Sequence, residues 1–293
     1  QPPALNLKGL YLVRDAETES SLAARGIRTG RLDEFYFPLE NFTSKGSHQM
    51  WEGAQALVQE LEEPMRRKEV IIINSDSNAS KNTSIMQSTG IAILLSPNPQ
   101  GPIIHFTGEN YVHSITSPVD IQDRYAGHWA GRKVEDLLFG VGGRREAEIA
   151  DAVHNRGDAF GKARETRGRD PENTIDVIER ALEFIEYLNE NQEGKYAIVY
   201  VDEFMLGVLQ MLLVPGLYKD SEFIDVTAYA PEGGVPYNLT ADQQRLSDAA
   251  MTATVAPGGI DLGNGRYLKV IATDPAGVPQ WDPAEMMQLR QDL

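Results

Sequence analysis

Two unbroken apolar runs constrain the fold of this chain more than any other feature of its sequence. The run 69–74 contains consecutive β-branched residues from Val70 to Ile73, and 196–201 is a second apolar run. Strands that are buried on both faces of a sheet have this pattern, and such strands occur mainly in parallel sheets. Segments with helical spacing alternate with these runs, so the sequence predicts an α/β sandwich with a mainly parallel sheet.

Further elements follow from the spacing of apolar residues and from turn signals. Helices are predicted at 50–63, 146–164, 173–188 and 204–213, and strands at 8–13, 103–106, 223–229 and 266–272. The segment 75–84 is predicted to be a loop. With 293 residues and 41% hydrophobic content, the chain can bury one large α/β domain with an insertion, or two smaller domains.

The composition excludes several classes of function. The net charge of −16 repels nucleic acid and anionic membrane surfaces, so no nucleic-acid partner is expected. The absence of cysteine excludes disulfides, thiol catalysis and cysteine-ligated zinc. No apolar run approaches the ~20 residues that span a bilayer. The chain opens with Gln1-Pro2-Pro3 instead of methionine, from which we expect a secreted or periplasmic protein.

Several motifs resemble those of the histidine phosphatase (phosphoglycerate mutase-like) superfamily, in the right order. The segment 10–18 reads LYLVRDAET, where that family reads LxxVRHGET. Other similar segments are 30–33, 38–39, 45–49, 73–83, 123–131 and 196–203. The resemblance covers residues 8–275 and rests on several short motifs in register.

The resemblance implies a single domain over 1–293, built as a three-layer α/β/α sandwich. Its core would comprise 8–106 and 196–275. A helical cap insertion at 107–195 would cover the old active site, and 276–293 would form a peripheral tail. In this family a neutral histidine attacks phosphorus, two arginines and a second histidine neutralise the phosphate oxygens, and a carboxylate donates the proton.

This sequence departs from the family at most of those positions. Asp15 stands in place of the nucleophilic histidine, and Asp202 in place of the second histidine. Ala79 aligns with the second arginine, unless the 75–84 loop is shifted and Lys81 takes that place. Glu203 stands in place of the glycine that follows the second histidine in the family. The position of the family's proton donor still holds a carboxylate, Asp123. Of the phosphate ligands only Arg14 remains, so the retained pocket comprises Arg14, Asp15, Asp123, Asp202 and Glu203.

Electrostatics argue against phosphate chemistry in such a pocket. Two like charges about 4 Å apart repel by about 4 kcal/mol at an effective dielectric constant near 20. A phosphate dianion would meet that repulsion from Asp15, from Asp202 and from Glu203. Carboxylates do serve as nucleophiles, but such enzymes screen the phosphate with a metal ion or lysine. We therefore expect no phosphatase activity.

Three interpretations of the site are open from the sequence. In the leading one Arg14 pairs with Asp15 or Asp202 and nothing is catalysed. In the second, Asp15 and Asp202 share a proton and perform acid–base work, with Asp123 nearby. In the third, Asp15, Asp202 and Glu203 bind a hard cation, Ca²⁺ or Mg²⁺. No other cofactor is expected.

The sequence therefore predicts a pseudoenzyme more strongly than an enzyme. The leading hypothesis is a degenerate histidine phosphatase-like protein that acts as a secreted binding or structural subunit. The alternative is an enzyme with a repurposed active site that uses Asp15 and Asp202. The partner is an unidentified ligand or protein, and a homo-oligomer is an expectation because the family scaffold often dimerises.

Overall fold

The structure is a computed structural model that describes residues 3–18, 42–96, 111–122, 172, 174–214 and 230–245. It also describes the backbone of four short strands between 260 and 281. Among the described residues, no helix is long and apolar enough to cross a membrane.

A five-stranded sheet forms the centre of the molecule. Its strands are β1 (Gly9–Arg14), β2 (Val70–Asn74), β3 (His113–Thr116), β4 (Tyr196–Val201) and β5 (Pro236–Asn238), in the order β3-β2-β4-β1-β5. The first four strands are parallel, and β5 runs antiparallel to β1. The mainly parallel sheet predicted from the two apolar runs is confirmed.

Within the described residues, four long helices cover the two faces of this sheet: α1 (Ser44–Arg66), α2 (Asn78–Leu95), α3 (Thr174–Asn191) and α4 (Glu203–Leu213). Alternate residues of a strand point to opposite faces, so β1, β2 and β4 each contribute to both cores. Tyr11, Ile72 and Tyr200 pack against α1 and α2. Leu12, Ile73 and Val199 pack against α3 and α4. The three-layer sandwich is therefore confirmed.

Two elements from the range 107–195, which the sequence assigned to a helical cap, lie in the central sandwich. β3 is an edge strand of the central sheet, paired with β2. α3 packs its buried side chains, among them Phe184 and Leu188, into the core below that sheet. Both elements belong to the sandwich, because their apolar residues complete its core. The predicted helix 146–164 and the predicted strands 103–106 and 223–229 lie outside the described residues.

The predicted loop 75–84 is wrong beyond its first residues. Helix α2 begins at Asn78, because the Ser77 side chain accepts a hydrogen bond from the Ser80 N–H and so caps the helix. The predicted strand 266–272 is also divided. β6 (Ile260–Asp261) pairs with β7 (Tyr267–Leu268), and β8 (Val270–Thr273) pairs with β9 (Pro279–Trp281).

Helix α1 is longer than the predicted 50–63. It begins after Thr43, whose hydroxyl accepts a hydrogen bond from the Gly46 N–H at 2.9 Å. It also runs through Pro64 and is distorted at Leu61, where φ is −122°. A proline inside a helix removes one backbone donor and crowds the preceding turn, which accounts for this kink.

A tight turn at Gly233-Gly234 docks between the sheet and helices α1 and α2. Gly234 has a φ of +74°, in the left-handed region that favours glycine. Its N–H donates to the Arg14 carbonyl at 2.7 Å, and its carbonyl accepts from Gln87 Nε2 at 2.7 Å. Gly53 on α1 faces the same carbonyl so closely that any side chain there would overlap it.

We predict that Gly53→Ala destabilises the protein by about 1–3 kcal/mol, because the added Cβ would overlap the Gly234 carbonyl and Gln87 Nε2. The sign of the change in the free energy of unfolding is informative, because alanine in an unconstrained helix interior is favoured over glycine by up to about 1 kcal/mol. Urea unfolding measures the free-energy change. Gln55→Ala, at an exposed position of the same helix, is the control and should change stability little. A Gly53→Ala protein more stable than the parent would contradict the close approach.

Candidate functional site

The parallel register of β1 and β4 gathers the predicted site residues at one edge of the sheet. Arg14 pairs with Val201, the last residue of β4, and the Asp15 N–H donates to the Val201 carbonyl at 3.1 Å. Asp202 and Glu203 follow directly in the chain. Because the carboxyl ends of parallel strands share an edge, Arg14, Asp15, Asp202 and Glu203 meet there. Open α/β sheets bind their ligands at this edge.

Arg14 is buried, and its guanidinium is committed to groups of this chain. Nη2 donates to Glu203 Oε2 at 2.7 Å, and Nη1 donates to the Pro231 carbonyl at 3.2 Å. The Arg14 side chain is 9% exposed and that of Glu203 is 37% exposed. The arginine of this ion pair is therefore shielded from solvent, whereas the carboxylate is partly exposed to it. The sequence predicted that Arg14 pairs with an acidic residue, but the partner bonded to it is Glu203.

Asp15 is held by helix α2. The Ser80 hydroxyl donates to Asp15 Oδ1 at 2.7 Å, and Ser80 is fully buried. Thr83, one turn further along α2, accepts a hydrogen bond from the Ala16 N–H at 3.1 Å. Two polar side chains of α2 thus fix the backbone and the carboxylate that follow β1.

The same helix carries both residues that the sequence aligned, as alternatives, with the family's second arginine. Ala79 lies buried in the first turn of α2, next to Ser80. Lys81 pairs with Asp76, and both side chains are substantially exposed. The α2 side chain that contacts Asp15 is therefore a serine hydroxyl, and the lysine ammonium is committed to another carboxylate.

Asp202 serves as the N-cap of α4. Its Oδ1 accepts hydrogen bonds from the Phe204 N–H at 2.9 Å and the Met205 N–H at 3.0 Å. Its backbone is extended, with φ −71° and ψ 172°, as N-cap residues require. Because a helix N-terminus carries partial positive charge, it stabilises the carboxylates of Asp202 and Glu203.

A second arginine, Arg180 on α3, lies below this edge. Its Nε and Nη2 donate to the two Glu172 oxygens at 3.1 and 2.7 Å, and Nη1 donates to the carbonyls of Asp120 and Gln122 at 3.0 and 3.1 Å. Burial opposes the charged form, but Glu172, then Asp120 and Asp202, outweigh it and raise the pKa of Arg180. Arg180 therefore stays cationic and contributes charge compensation to Asp202.

Sequence reasoning missed Arg180. A signal was present, because position 180 lies three residues after Val177 and four before Phe184, on the buried side of α3. An arginine on an apolar helix face must find acceptors inside the protein. The residue it holds in place, Gln122, immediately precedes Asp123, which lies outside the described residues.

A buried chain of hydrogen bonds supports the edge from within the sandwich. The Tyr200 hydroxyl donates to Gln87 Oε1 at 2.7 Å, and Gln87 Nε2 reaches the Gly234 carbonyl, whose N–H bonds to Arg14. Burial raises the pKa of Tyr200, so the hydroxyl stays protonated as the donor. This network links β4, α2, the glycine turn and the end of β1.

The described residues do not form a recognisable metal centre. No group of three or more histidine, aspartate or glutamate side chains among them is arranged to hold a metal ion. The hard-cation hypothesis for Asp15, Asp202 and Glu203 therefore gains no support from this part of the chain. Asp15 Oδ1 accepts a hydrogen bond from Ser80, Asp202 Oδ1 caps α4, and Glu203 Oε2 pairs with Arg14.

Comparison with known proteins identifies the fold. No family model matches the sequence, and no curated protein sequence matches it. Bacillus stearothermophilus YhfR is 17% identical, with a TM-score of 0.51 over 78% of this chain and 88% of that one. Rv3214 from Mycobacterium tuberculosis is 14% identical, with a TM-score of 0.47 over 93% and 94%. The alpha-ribazole phosphatase from Shigella flexneri is 18% identical, with a TM-score of 0.43 over 77% and 86%.

Solved structures that match this chain are histidine phosphatase or phosphoglycerate mutase-like proteins. At this identity the likeness shows the fold alone, and the fold argument rests on YhfR together with the sheet and its helices. The chain has the phosphoglycerate mutase-like fold. The resemblance inferred from the motifs is confirmed at that level, while the loss of catalysis stays a prediction.

We predict that Asp202→Ala lowers the free energy of unfolding by about 1 kcal/mol, because two N–H groups of α4 lose their acceptor. Asp202→Asn is the matched variant. It keeps a capping oxygen, loses the charge and exchanges the second carboxylate oxygen for an amide NH2, and its loss should be smaller, about 0.5 kcal/mol. Urea unfolding of both variants ranks them. Equal stability of Asp202→Ala and the parent protein would show that the cap contributes nothing.

Proposed function

We propose that this chain is a degenerate histidine phosphatase-like protein without phosphatase activity, which acts as a binding or structural protein. The observation that supports this proposal is the 2.7 Å ion pair between Arg14 and Glu203. Arg14 is the one phosphate ligand of the family that this sequence keeps. A carboxylate of the chain itself now occupies its guanidinium.

A phosphate approaching Arg14 would compete with Glu203 for the guanidinium. A hydrogen bond between charged groups contributes about 1.5–3 kcal/mol, and a buried arginine left without its partner costs more. The displaced carboxylate would stay close by, since Glu203 is anchored in the first turn of α4. Substrate phosphate would therefore meet both competition and repulsion.

The position of the family's nucleophile, Asp15 in this chain, also argues against phosphatase activity. An aspartyl-phosphate route needs an attacking carboxylate and a cation that screens the phosphate. Asp15 accepts a hydrogen bond from the buried Ser80 hydroxyl. Lys45, on α1 near the same edge, lies 3.8 Å from Glu17 and 4.0 Å from Glu232. The lysine therefore faces two carboxylates already.

The alternative, an acid–base pair of Asp15 and Asp202, has weaker support. Asp202 Oδ1 accepts two backbone hydrogen bonds, a structural role that fixes the carboxylate at the start of α4. Self-assembly and the identity of any partner stay predictions, and light scattering of the purified protein tests the first of them.

We predict no phosphomonoester hydrolysis by the full chain. p-Nitrophenyl phosphate should be turned over no faster than by an Asp15→Ala control, at pH 4 to 9 and with or without Mg²⁺. Hydrolysis that disappears in Asp15→Ala would overturn the proposal and assign Asp15 as the nucleophile. A bell-shaped pH profile for a non-phosphate substrate, lost in the same variant, would favour the alternative instead.

We further predict that Glu203→Gln uncovers an anion site. Without the competing carboxylate, Arg14 should bind orthophosphate about tenfold more tightly than it does in the parent protein, in the millimolar range by calorimetry. Glu232→Gln is the matched control, since it removes the same charge from an exposed carboxylate of the same edge that pairs with Lys45 and not Arg14. Equal phosphate affinity in the parent and in Glu203→Gln would contradict the role of the ion pair.

A further inference from the structure

The solvent side of helix α2 carries an apolar, uncharged face. Ile85 is 59% exposed and Met86 is 51% exposed, and the neighbouring Trp51 on α1 is 39% exposed. Between 82 and 95 the helix contains no charged residue, in a chain of which 24% of the residues are charged. Surface helices normally carry charged residues on the side away from the core, so an apolar solvent side indicates a contact surface.

The residues on this side of α2 follow the spacing of a seam between two helices. Four residues share one face of the helix, because they are separated by four, three and four positions: Asn82, Met86, Thr89 and Ile93. Ile91 and Leu95, which pack into the core, lie on the opposite side. Two helices of a coiled coil interdigitate through residues with this alternating spacing. The solvent side of α2 is therefore suited to a second helix.

Two hydroxyl groups on this side are directed back into the helix. Ser88 Oγ and Thr89 Oγ1 each donate to the Ile85 carbonyl at 2.9 Å. Beside them the Trp51 indole lies over Gly90, where an added Cβ would be 3.5 Å from Trp51 Cε3. The face thus presents methyl groups, a thioether and part of an indole, together with hydroxyl donors that are already bonded. A partner can cover it without leaving those donors unpaired.

We propose that a second copy of this chain docks on this face, through antiparallel packing of the two α2 helices. A chain with a net charge of −16 repels its own copies, and the repulsion is least where the approaching surfaces carry no charge. The outer side of α3, in contrast, exposes Glu179, Glu183 and Glu186. An uncharged apolar face is also self-complementary, as a two-fold contact requires.

The acidic edge of the sheet determines the direction of this pairing. Helix α2 begins beside Asp15, to which Ser80 in its first turn donates at 2.7 Å. Parallel α2 helices would bring the acidic edges of both copies side by side, whereas antiparallel helices keep them at opposite ends. The two-fold axis then passes near Met86 and Thr89, the central residues of the seam.

The size of the face sets the strength of the contact. A stable dimer buries about 800 Å² per partner. Three exposed apolar side chains and their neighbours along one helix supply less than this area, so we expect a reversible dimer with a dissociation constant of about 0.1 mM. The inference rests on the proposed structural role, for which it names the surface, and not on the loss of phosphatase activity.

Sedimentation velocity of the full chain at about 10 µM to 1 mM tests the contact. We expect a dimer that increases with concentration and becomes tighter between about 0.05 and 0.5 M salt, because salt screens the repulsion between acidic copies. Met86→Glu, which places like charges near the two-fold axis, should weaken the dimer by about tenfold or more. Leu182→Glu, at a 42% exposed position of α3, is the matched control and should dimerise like the parent.

Disulfide trapping tests the antiparallel arrangement, since the parent chain contains no cysteine. A disulfide needs Cα atoms about 4.4–6.8 Å apart, so it forms between identical positions only close to the two-fold axis. Thr89→Cys should therefore yield a covalent dimer on mild oxidation. Ile93→Cys, on the same face but away from the axis, is the matched control and should stay uncrosslinked.

Three outcomes would overturn the proposal. The first is a monomer at every concentration up to about 1 mM, and a monomer that binds the cationic amphipathic peptide melittin through Met86 would assign the face to such a partner. The second is a dimer that Met86→Glu leaves unchanged while circular dichroism shows a folded variant. The third is cross-linking by Ile93→Cys in place of Thr89→Cys. Hydrolysis of p-nitrophenyl phosphate by the same samples would overturn the proposed function alone.

Discussion

The parallel pairing of β1 with β4 is the constraint on which the rest of the site depends. The pairing runs from Gly9 opposite Tyr196 to Arg14 opposite Val201, without a bulge. As a result, Asp15, which follows β1, and Asp202, which follows β4, lie beside each other. The charges at these two strand ends must therefore be compatible. A one-residue slip would turn Leu12 and Val199 to the wrong face of the sheet and separate these ends. Core packing and site geometry are thus fixed by the same register.

Charge compensation explains how an acidic edge is tolerated inside a fold of this class. Carboxylates gathered at one edge would repel one another by several kcal/mol if they were unbalanced. Arg14 balances Glu203, the N-terminus of α4 and Arg180 stabilise Asp202, and the Ser80 hydroxyl donates to Asp15. Each acidic side chain therefore has a donor or a cation within the chain itself.

The sequence predicted the sheet and the meeting of Arg14, Asp15, Asp202 and Glu203, because buried strands are visible as apolar runs and their ends share an edge. It did not predict the start of α2. That segment, NASKNTSIMQSTG, is rich in serine, threonine and asparagine, which favour loops until a cap such as Ser77 is recognised. β3 was missed because HSIT is mostly exposed and shows no clear alternation. Arg180 was missed because its acceptors leave no signal in the sequence. Glu172 belongs to no recognisable pattern, and the other two acceptors are backbone carbonyls from a distant part of the chain.

The positions that differ from the family's motifs have structural roles in this chain. Aspartate is one of the preferred N-cap residues, and Asp202 caps α4 with two hydrogen bonds. Ala79 fills a buried position in the first turn of α2, where an arginine would need acceptors. Glu203 satisfies an arginine that an empty phosphate pocket would leave buried and unpaired. Catalytic sites commonly cost stability, so a site that loses its chemistry is free to be repacked for folding. The proposed loss of phosphatase activity would have left this edge free to gain these hydrogen bonds.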